Sequence, residues 1–365
     1  MKARRGKNIV LGILVITLSV IGFWIMSQKD GEIDYTTRVE KWDNIYSGNN
    51  IKFYYIDESV AEIATLKSKY KVETLIKEDS SEIMKCIDIN KWLAEKGEVT
   101  LSDMDKNKDA EELLSILISE KKISQKDYNT ILQELLSSIG IKVRVGEYRL
   151  EGNYSVLEVW DSSFNKWIMF DAITGGYFKK DKEPLSAIEV LNEDLTQFKV
   201  SGDQDSALNK KSIKLLSQYL GTYSIKIDNS KYEGSIINSY ITYVKDAKDV
   251  QLETSRGYIP PTIFVDNDSL FTINPNNEYV NDESDKTPTI IFAKKNIKDD
   301  DENYTKFTLG AFMNSIMMDE FYVRVNQGEF IKADTYYNLN IEKGVTTIEI
   351  SLDGTNPLRQ VVIKK

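Results

Sequence analysis

One block of the sequence, residues 124 to 171, constrains the fold more than any other. It begins with SQKDYNTILQELLSSIG, in which apolar residues recur along one helical face. Ser124 and Asp127 have the spacing of a capping box at the start of this helix, and Gly140 is placed to end it. Three strand-like segments follow, IKVRVGEYRL, NYSVLEVWD and NKWIMFD. A helix followed by three strands predicts an α+β layer in which the helix packs on an antiparallel sheet.

The first thirty residues carry a second strong signal. Ile9 to Met26 contains no charged residue and is long enough, at about 1.5 Å per residue, to cross a hydrocarbon core of roughly 30 Å. Four bases precede this run, Lys2, Arg4, Arg5 and Lys7. With Asp30 after the run, they predict a signal-anchor transmembrane helix over 9–26, a cytoplasmic segment over 1–8 and an extracytoplasmic remainder. The alternative is a signal peptide cleaved near Ser27, although no A-x-A site follows.

The charge and the rare residues exclude several classes of function. The formal net charge is −10, which disfavours nucleic acid as a partner. The chain has no histidine and a single cysteine, Cys86, so an intrachain disulfide and the common zinc sites are excluded. Cys86 lies in the apolar helical pattern EIMKCIDINKWL and is predicted to be a buried core residue. No nucleotide-binding glycine motif occurs, and we expect no cofactor.

A possible calcium loop fails on inspection. Alternate positions carry the oxygen ligands of Asp103, Asp105, Asn107 and Asp109. An EF-hand loop needs a glycine at its sixth position and a bidentate glutamate at its twelfth, and Lys108 and Leu114 occupy those positions. The sequence therefore predicts a polar loop without a metal here. The acidic segment KDDDENY, at 298–304, is likewise interpreted as a solvated loop.

Changes in residue composition and in the pattern of apolar residues along the chain predict its domains. Residues 27–50 are polar and are interpreted as a linker, and 51–200 combine a short strand at IKFYYIDES with helices and the block described above. Residues 201–218 form a second linker with a short helix. Residues 219–365 are tyrosine-rich, with short alternating strands between turn residues, and predict a β-sandwich.

The order and spacing of the block resemble the transglutaminase-like superfamily, whose core is papain-like. In that superfamily a nucleophilic Cys begins a helix, a His begins a strand and an Asp ends the next strand. The residues that carry the resemblance are Tyr128, Leu135, Leu136, Ile139, Gly140, Ile141, Arg144, Glu158, Val159, Trp160, Trp167 and Asp171. The resemblance covers about residues 55–195, and the following β-region is similar to the sandwich of some bacterial, membrane-bound members.

Carried over position by position, the resemblance implies a degenerate triad. Gln125 stands at the Cys position, Tyr154 at the His position, and only Asp171 is kept. An amide is neither nucleophile nor base, and a phenol with a pKa near 10 is a poor proton acceptor at neutral pH. Ser124 could supply a hydroxyl, but it lacks a base and is explained by its capping role. We therefore expect no catalytic residue at these positions.

The resulting prediction is a membrane-anchored, extracytoplasmic pseudoenzyme that binds a protein or a cell-wall glycan or peptide. The candidate groove residues are Ser124, Gln125, Tyr154, Trp160, Trp167 and Asp171. Two alternatives stay open: a cell-envelope hydrolase with a relocated pair of carboxylates, and a structural spacer. An open groove favours binding, and a groove filled by bulky side chains favours the spacer. Two carboxyl groups about 5 to 9 Å apart across a cleft favour the hydrolase.

Overall fold

The computed structural model describes residues 37–365 apart from 103–104, 107, 151, 202–205, 230–237, 254–258, 282 and 295–303. The described residues form one compact unit, Thr37–Lys365. The predicted cytoplasmic segment 1–8 and transmembrane segment 9–26 lie outside them. Within the described part, no helix is long and apolar enough to cross a membrane.

Helices are concentrated in the first half of the described chain. The α-helices are α1 (Ala61–Tyr70), α2 (Glu82–Ala94), α3 (Ala110–Glu120), α4 (Gln125–Ser137), α5 (Ala187–Asn192) and α6 (Ser206–Leu216). Local chemistry fixes several of their ends. The Asp109 side chain accepts a hydrogen bond from the Glu112 N–H at the start of α3, and Gly140 follows α4 with φ +79°. Short 3₁₀ turns lie at Val72–Leu75, Leu195–Gln197, Ala247–Asp249 and Asp268–Thr272.

Strands make up most of the remaining described chain. The first ten are β1 (Arg38–Asp43), β2 (Glu98–Thr100), β3 (Lys122–Ser124), β4 (Val143–Arg149), β5 (Asn153–Asp161), β6 (Lys166–Asp171), β7 (Gly176–Lys180), β8 (Glu183–Pro184), β9 (Phe198–Ser201) and β10 (Thr222–Asp228). The others are β11 (Asn238–Tyr243), β12 (Ile259–Val265), β13 (Thr289–Lys294), β14 (Tyr304–Met313), β15 (Ile316–Met317), β16 (Glu320–Val325), β17 (Ile331–Asp334), β18 (Tyr337–Glu342), β19 (Val345–Ser351) and β20 (Arg359–Lys364). The predicted mixture of helices with a large β content is confirmed.

The described strands form one large sheet, one smaller sheet and a two-stranded parallel sheet of β2 and β3. The large sheet runs β15-β14-β13-β12-β11-β10-β4-β5-β6-β7-β8, with β18 added at β14 and β9 at β7. Its pairs are antiparallel except β11 with β12. The smaller sheet runs β1-β20-β19-β16-β17. β4 precedes the predicted linker at 201–218 and β10 follows it. Because these two strands pair, the large sheet contains strands from both sides of that linker. The division into a domain over 51–200 and one over 219–365 stays a prediction.

The centre of the large sheet is covered on both faces. Helices α1 to α4 pack on one face, where Leu157, Ile168 and Phe170 join their core. Val156 and Met169, on the opposite face, pack with α5 and residues of β10. This double cover explains why β5 is buried over nearly its whole length. It also explains why polar and apolar residues do not alternate along its sequence.

The second half of the chain packs two sheets face to face. Phe292 and Leu309 of the large sheet share a core with Ile348 and Val361 of the smaller sheet. Two sheets that enclose a common apolar layer form a sandwich. The sandwich also includes β1, whose Trp42 lies in this core.

Three expectations are wrong in detail. The predicted linker over 27–50 includes β1, which pairs with β20 because Trp42 and the backbone of this polar segment complete the edge of the small sheet. The strand expected at IKFYYIDES is reduced to one bridge, between Phe53 and Ile227, because β4 pairs with the first residues of β10 and leaves only its last residues to this segment. The short helix expected within 201–218 spans Ser206–Leu216, so it takes up most of the segment interpreted as a linker.

Candidate functional site

Gln125, which the resemblance aligns with the nucleophile of the superfamily, is the first residue of α4. Ser124 precedes it as the N-cap, and its hydroxyl accepts a hydrogen bond of 3.1 Å from the Asp127 N–H, as its capping role predicts. The Asp127 carboxylate does not close the box on Ser124. It accepts instead from the Lys106 N–H, at 2.9 Å. The structure therefore places the Gln125 side chain at the positive end of the helix dipole.

Tyr154 and Asp171 are brought to the same place by the pairing of β5 with β6. Tyr154 is the second residue of β5, and Asp171 is the last residue of β6. The backbone turns sharply after Asp171, whose carbonyl accepts a hydrogen bond from the Gly175 N–H at 2.9 Å. The three positions thus occupy a helix start, a strand start and a strand end, which is the arrangement expected from the sequence.

Side chains from all three positions meet at one carboxylate oxygen. The Tyr154 hydroxyl donates to Asp171 Oδ1 at 2.9 Å, and the Gln125 amide donates to the same oxygen at 3.3 Å. The Ile173 N–H is a third donor, at 3.1 Å. The Gln125 carbonyl in turn accepts from the Ser155 N–H at 3.1 Å. Gln125 therefore joins the α4 terminus to both strands.

This cluster is closed to solvent. Gln125 is 3% exposed, and Tyr154 and Asp171 are each 1% exposed. Burial raises the pKa of the Tyr154 phenol well above its ordinary value, and the adjacent Asp171 charge adds to the rise. Burial also raises the pKa of Asp171, because the loss of hydration outweighs the hydrogen bonds that favour its charged form. Asp171 Oδ2 is buried and accepts no hydrogen bond in the described part of the chain.

The other candidate groove residues are buried as well. Ser124 is 4% exposed, Trp160 5% and Trp167 1%. The two tryptophan rings pack edge to face with centroids 5.5 Å apart. The Trp167 indole N–H donates to the Ile273 carbonyl at 2.9 Å, so this ring connects the sheet to the segment after β12. In the described residues, the six candidates do not form an open groove.

Sequence reasoning assigned no role to a buried ion pair beside this cluster. Arg144 of β4 contacts Glu158 of β5 at 2.7 Å, and both side chains are at most 3% exposed. Glu158 also accepts hydrogen bonds from the Tyr223 hydroxyl at 2.8 Å and from the Ala187 N–H at 2.9 Å. The same Arg144 nitrogen, Nη2, also donates to the Phe271 carbonyl at 2.5 Å. The sequence did single out Arg144 and Glu158, because both belong to the set of residues that carries the resemblance.

The ion pair is a structural connection. Burial lowers the pKa of the Arg144 guanidinium, the Glu158 carboxylate raises it, and the net direction is upward. Arg144 also lies 4.1 Å from the centroid of the Trp167 ring. Because Glu158 and Arg144 are paired with each other and are shielded from solvent, they are not positioned to transfer a proton to a substrate.

The cluster has hydrogen-bond donors and one buried carboxylate, and it has no thiol or imidazole. Neither an amide nor a phenol with a raised pKa can attack a carbonyl group at neutral pH. Cys86 is buried in the helical core, as predicted, and burial raises the pKa of its thiol. The arrangement stabilises the junction of α4, β5 and β6.

Comparisons with known proteins give little further information. No family model matches the sequence, and no curated protein matches it. A solved structure named "Putative Cysteine Protease from Cytophaga hutchinsonii" matches with 15% identity and a TM-score of 0.24. The match covers 38% of this chain and 48% of that chain, so this chain spans about half the length of that structure. An identity of 15% and a TM-score of 0.24 do not assign a family or a function to this chain.

Proposed function

We propose that this chain is a membrane-anchored, extracytoplasmic, bacterial pseudoenzyme with a transglutaminase-like core, and that it acts by binding and not by turnover. One observation carries the proposal. The residues at the nucleophile and base positions, Gln125 and Tyr154, both donate to one oxygen of buried Asp171. This hydrogen-bonded arrangement supports the proposal, because it is what a Cys-His-Asp site would leave if both reactive groups were replaced and the carboxylate were kept.

Binding at the triad positions themselves is disfavoured by burial. Each of the six candidate groove residues is at most 5% exposed, so a ligand could reach them only if the surrounding side chains moved. This observation favours the spacer alternative for that part of the molecule. A binding role therefore needs a different surface of the chain.

The proposal can be tested by rebuilding the triad in the full chain. Gln125→Cys combined with Tyr154→His would place a thiol at the α4 terminus and an imidazole beside Asp171. If the positions are equivalent to those of the family, the imidazole and the helix dipole should lower the pKa of the introduced thiol below the ordinary value of about 8.5. Ultraviolet absorbance of the thiolate, followed against pH, measures that pKa.

The matched controls are Gln125→Cys alone and the double variant combined with Asp171→Asn. The first should have a less acidic thiol because it lacks the imidazole. The second should lose part of the effect, because Asp171 would no longer orient the ring. An introduced thiol whose pKa is the same in all three variants would refute the assignment of these positions to a former triad.

A further inference from the structure

A cleft with both polar and apolar lining residues lies at Tyr55, whose ring stacks on Trp167. It encloses about 530 Å³ and is lined by residues of two segments, 49–55 and 273–280. This volume falls within the range of about 300 to 1,000 Å³ that is common for small-molecule sites. Sequence reasoning did not identify the cleft, because its two segments are more than two hundred residues apart in the chain.

An aromatic ring is held in a fixed position at the cleft. Tyr55 stacks on Trp167 with the ring planes 12° apart and the centroids 6.0 Å apart. With one face against Trp167, the Tyr55 ring can present only its other face or its edge to the cleft that it lines. Because Trp167 is itself anchored by its hydrogen bond to the Ile273 carbonyl, the stacked pair is rigid before any ligand binds.

The two cleft segments are tied to each other. The Asn50 side-chain amide donates to the Val280 carbonyl at 2.9 Å, and its oxygen accepts from the Ile51 N–H at 2.9 Å. The Asn49 N–H donates to the Ser284 hydroxyl at 2.9 Å. These bonds hold the walls in place, so a ligand would not have to order them, which reduces the entropic penalty of binding.

The polar groups of the cleft are mainly uncharged. Asn277 is exposed on its rim, whereas the Tyr55 hydroxyl is buried next to the Arg144 guanidinium and is not offered to a ligand. Lys52 forms an ion pair of 2.8 Å with Asp228, which balances its charge. Glu278 adds one acidic group at the rim. Side-chain amides beside a fixed aromatic ring match a ligand that carries hydroxyl groups and a flat apolar face.

We propose that this cleft binds a neutral carbohydrate, with one sugar ring against Tyr55 and its hydroxyl groups on the neighbouring amides. The proposal gives a ligand class for the binding role proposed above and rests on it. A phosphorylated ligand is disfavoured because Lys52 is already paired and Glu278 would repel it.

The test uses soluble oligomers of N-acetylglucosamine and of glucose as probes for the purified full chain. Val280 lines the cleft and is 69% exposed. A spin label attached to the cysteine of Val280→Cys should broaden the proton signals of an oligomer bound there. The matched control is a label on Tyr336→Cys, which is 57% exposed and lies on the loop before β18. Buried Cys86 should not take up the label. Broadening by the Val280 label alone supports the proposal.

Substitutions at the ring give a second measurement. Tyr55→Ala should weaken the affinity for the oligomer about tenfold, whereas Tyr55→Phe should keep most of it because the stacking surface remains. Circular dichroism of both variants checks that they fold, and the spin-label result does not depend on them. The cleft proposal is overturned if no oligomer binds, or if the labels at 280 and 336 broaden the proton signals of the oligomer equally. It is also overturned if a peptide displaces the oligomer and so removes the broadening by the Val280 label. Binding of a peptide, or of a sugar elsewhere on the chain, would leave the general binding role standing, whereas turnover by the native chain would remove that role.

Discussion

The Tyr154 hydroxyl donates a hydrogen bond of 2.9 Å to Asp171 Oδ1, and both side chains are 1% exposed. In a Cys-His-Asp site the corresponding carboxylate would orient an imidazole, which alternates between donor and acceptor. A phenol whose pKa is raised well above its ordinary value remains a donor. The pair therefore holds one fixed protonation state, which suits a structural contact and does not suit proton transfer.

Tyr154→Phe should lower the free energy of unfolding by about 1 to 2 kcal/mol, because it removes one donor from a buried carboxylate. Gln125 and the Ile173 N–H would still donate to Asp171, which limits the loss. Urea denaturation measures the difference. Tyr336→Phe is the matched control, because Tyr336 is 57% exposed, and it should be close to neutral. Equal effects of the two changes would contradict a stabilising role for the buried hydroxyl.

Alkaline pH should destabilise the fold through its buried tyrosines. Burial is the main cause that raises the pKa values of Tyr148, Tyr154 and Tyr223 well above 10. In the unfolded chain these phenols lose protons near pH 10, so above that pH the folded state binds more protons and its stability falls as pH rises. Tyrosinate absorbance and circular dichroism, followed together, should show the last tyrosines ionising only as the fold is lost. Complete ionisation in a chain that keeps its native dichroism would count against their burial.

Glu134 should make stability depend on pH in the mildly acidic range. Burial raises its pKa from 4.5 to about 6, although the Ala110 N–H donates to it at 3.3 Å. Between those two values the folded state binds more protons than the unfolded state, so the contribution of Glu134 is fully present below about pH 4.5 and is lost as pH rises through about 6. Glu134→Gln should remove this dependence and, after allowance for solvent screening, stabilise the protein by up to about 1 kcal/mol at pH 7.

Thermal denaturation at pH 4.5 and at pH 7 measures that effect. Glu120→Gln is the matched control, because Glu120 is exposed at the end of α3. A control variant that changes the pH dependence as much as Glu134→Gln does would show that the effect comes from net charge and not from burial of Glu134.

The sequence predicted local features better than it predicted exposure. The periodicity of α4 and its Ser124 cap are found as expected, because both depend on residues within one helical turn of each other. Exposure of Gln125 or Trp160 depends on which distant segments cover them, and a single sequence does not encode that in a readable pattern. The same reason explains the missed cleft, in which Tyr55 meets the segment 273–280.

The errors in the predicted linkers and strands have a common cause. β1 has a polar sequence, and its pairing with β20 joins the two ends of the described chain, so no local signal could reveal it. The pairing of β4 with β10 is also a long-range contact. Such edges are specified by backbone hydrogen bonds and by a few core residues, of which Trp42 is one.

Arg144→Met should destabilise the protein by about 3 to 5 kcal/mol, because it leaves the buried Glu158 carboxylate without its cation. The matched control is Arg324→Met in the small sheet, where Arg324 and Glu349 are also 2.7 Å apart but the arginine side chain is 29% exposed. This control should lose at most about 1 kcal/mol. Chemical denaturation of both variants checks the contrast. Similar losses would show that burial of the Arg144 pair does not matter for stability.

The most direct test of the central claim is a turnover assay on the purified full chain, with an amine donor and a glutamine peptide as substrates. We expect no product from the native chain, because Gln125 and Tyr154 leave the site without a nucleophile and without a base. Asp171→Asn should behave the same. Reproducible turnover by the native chain that disappears in Asp171→Asn would contradict the claim that this site is inactive.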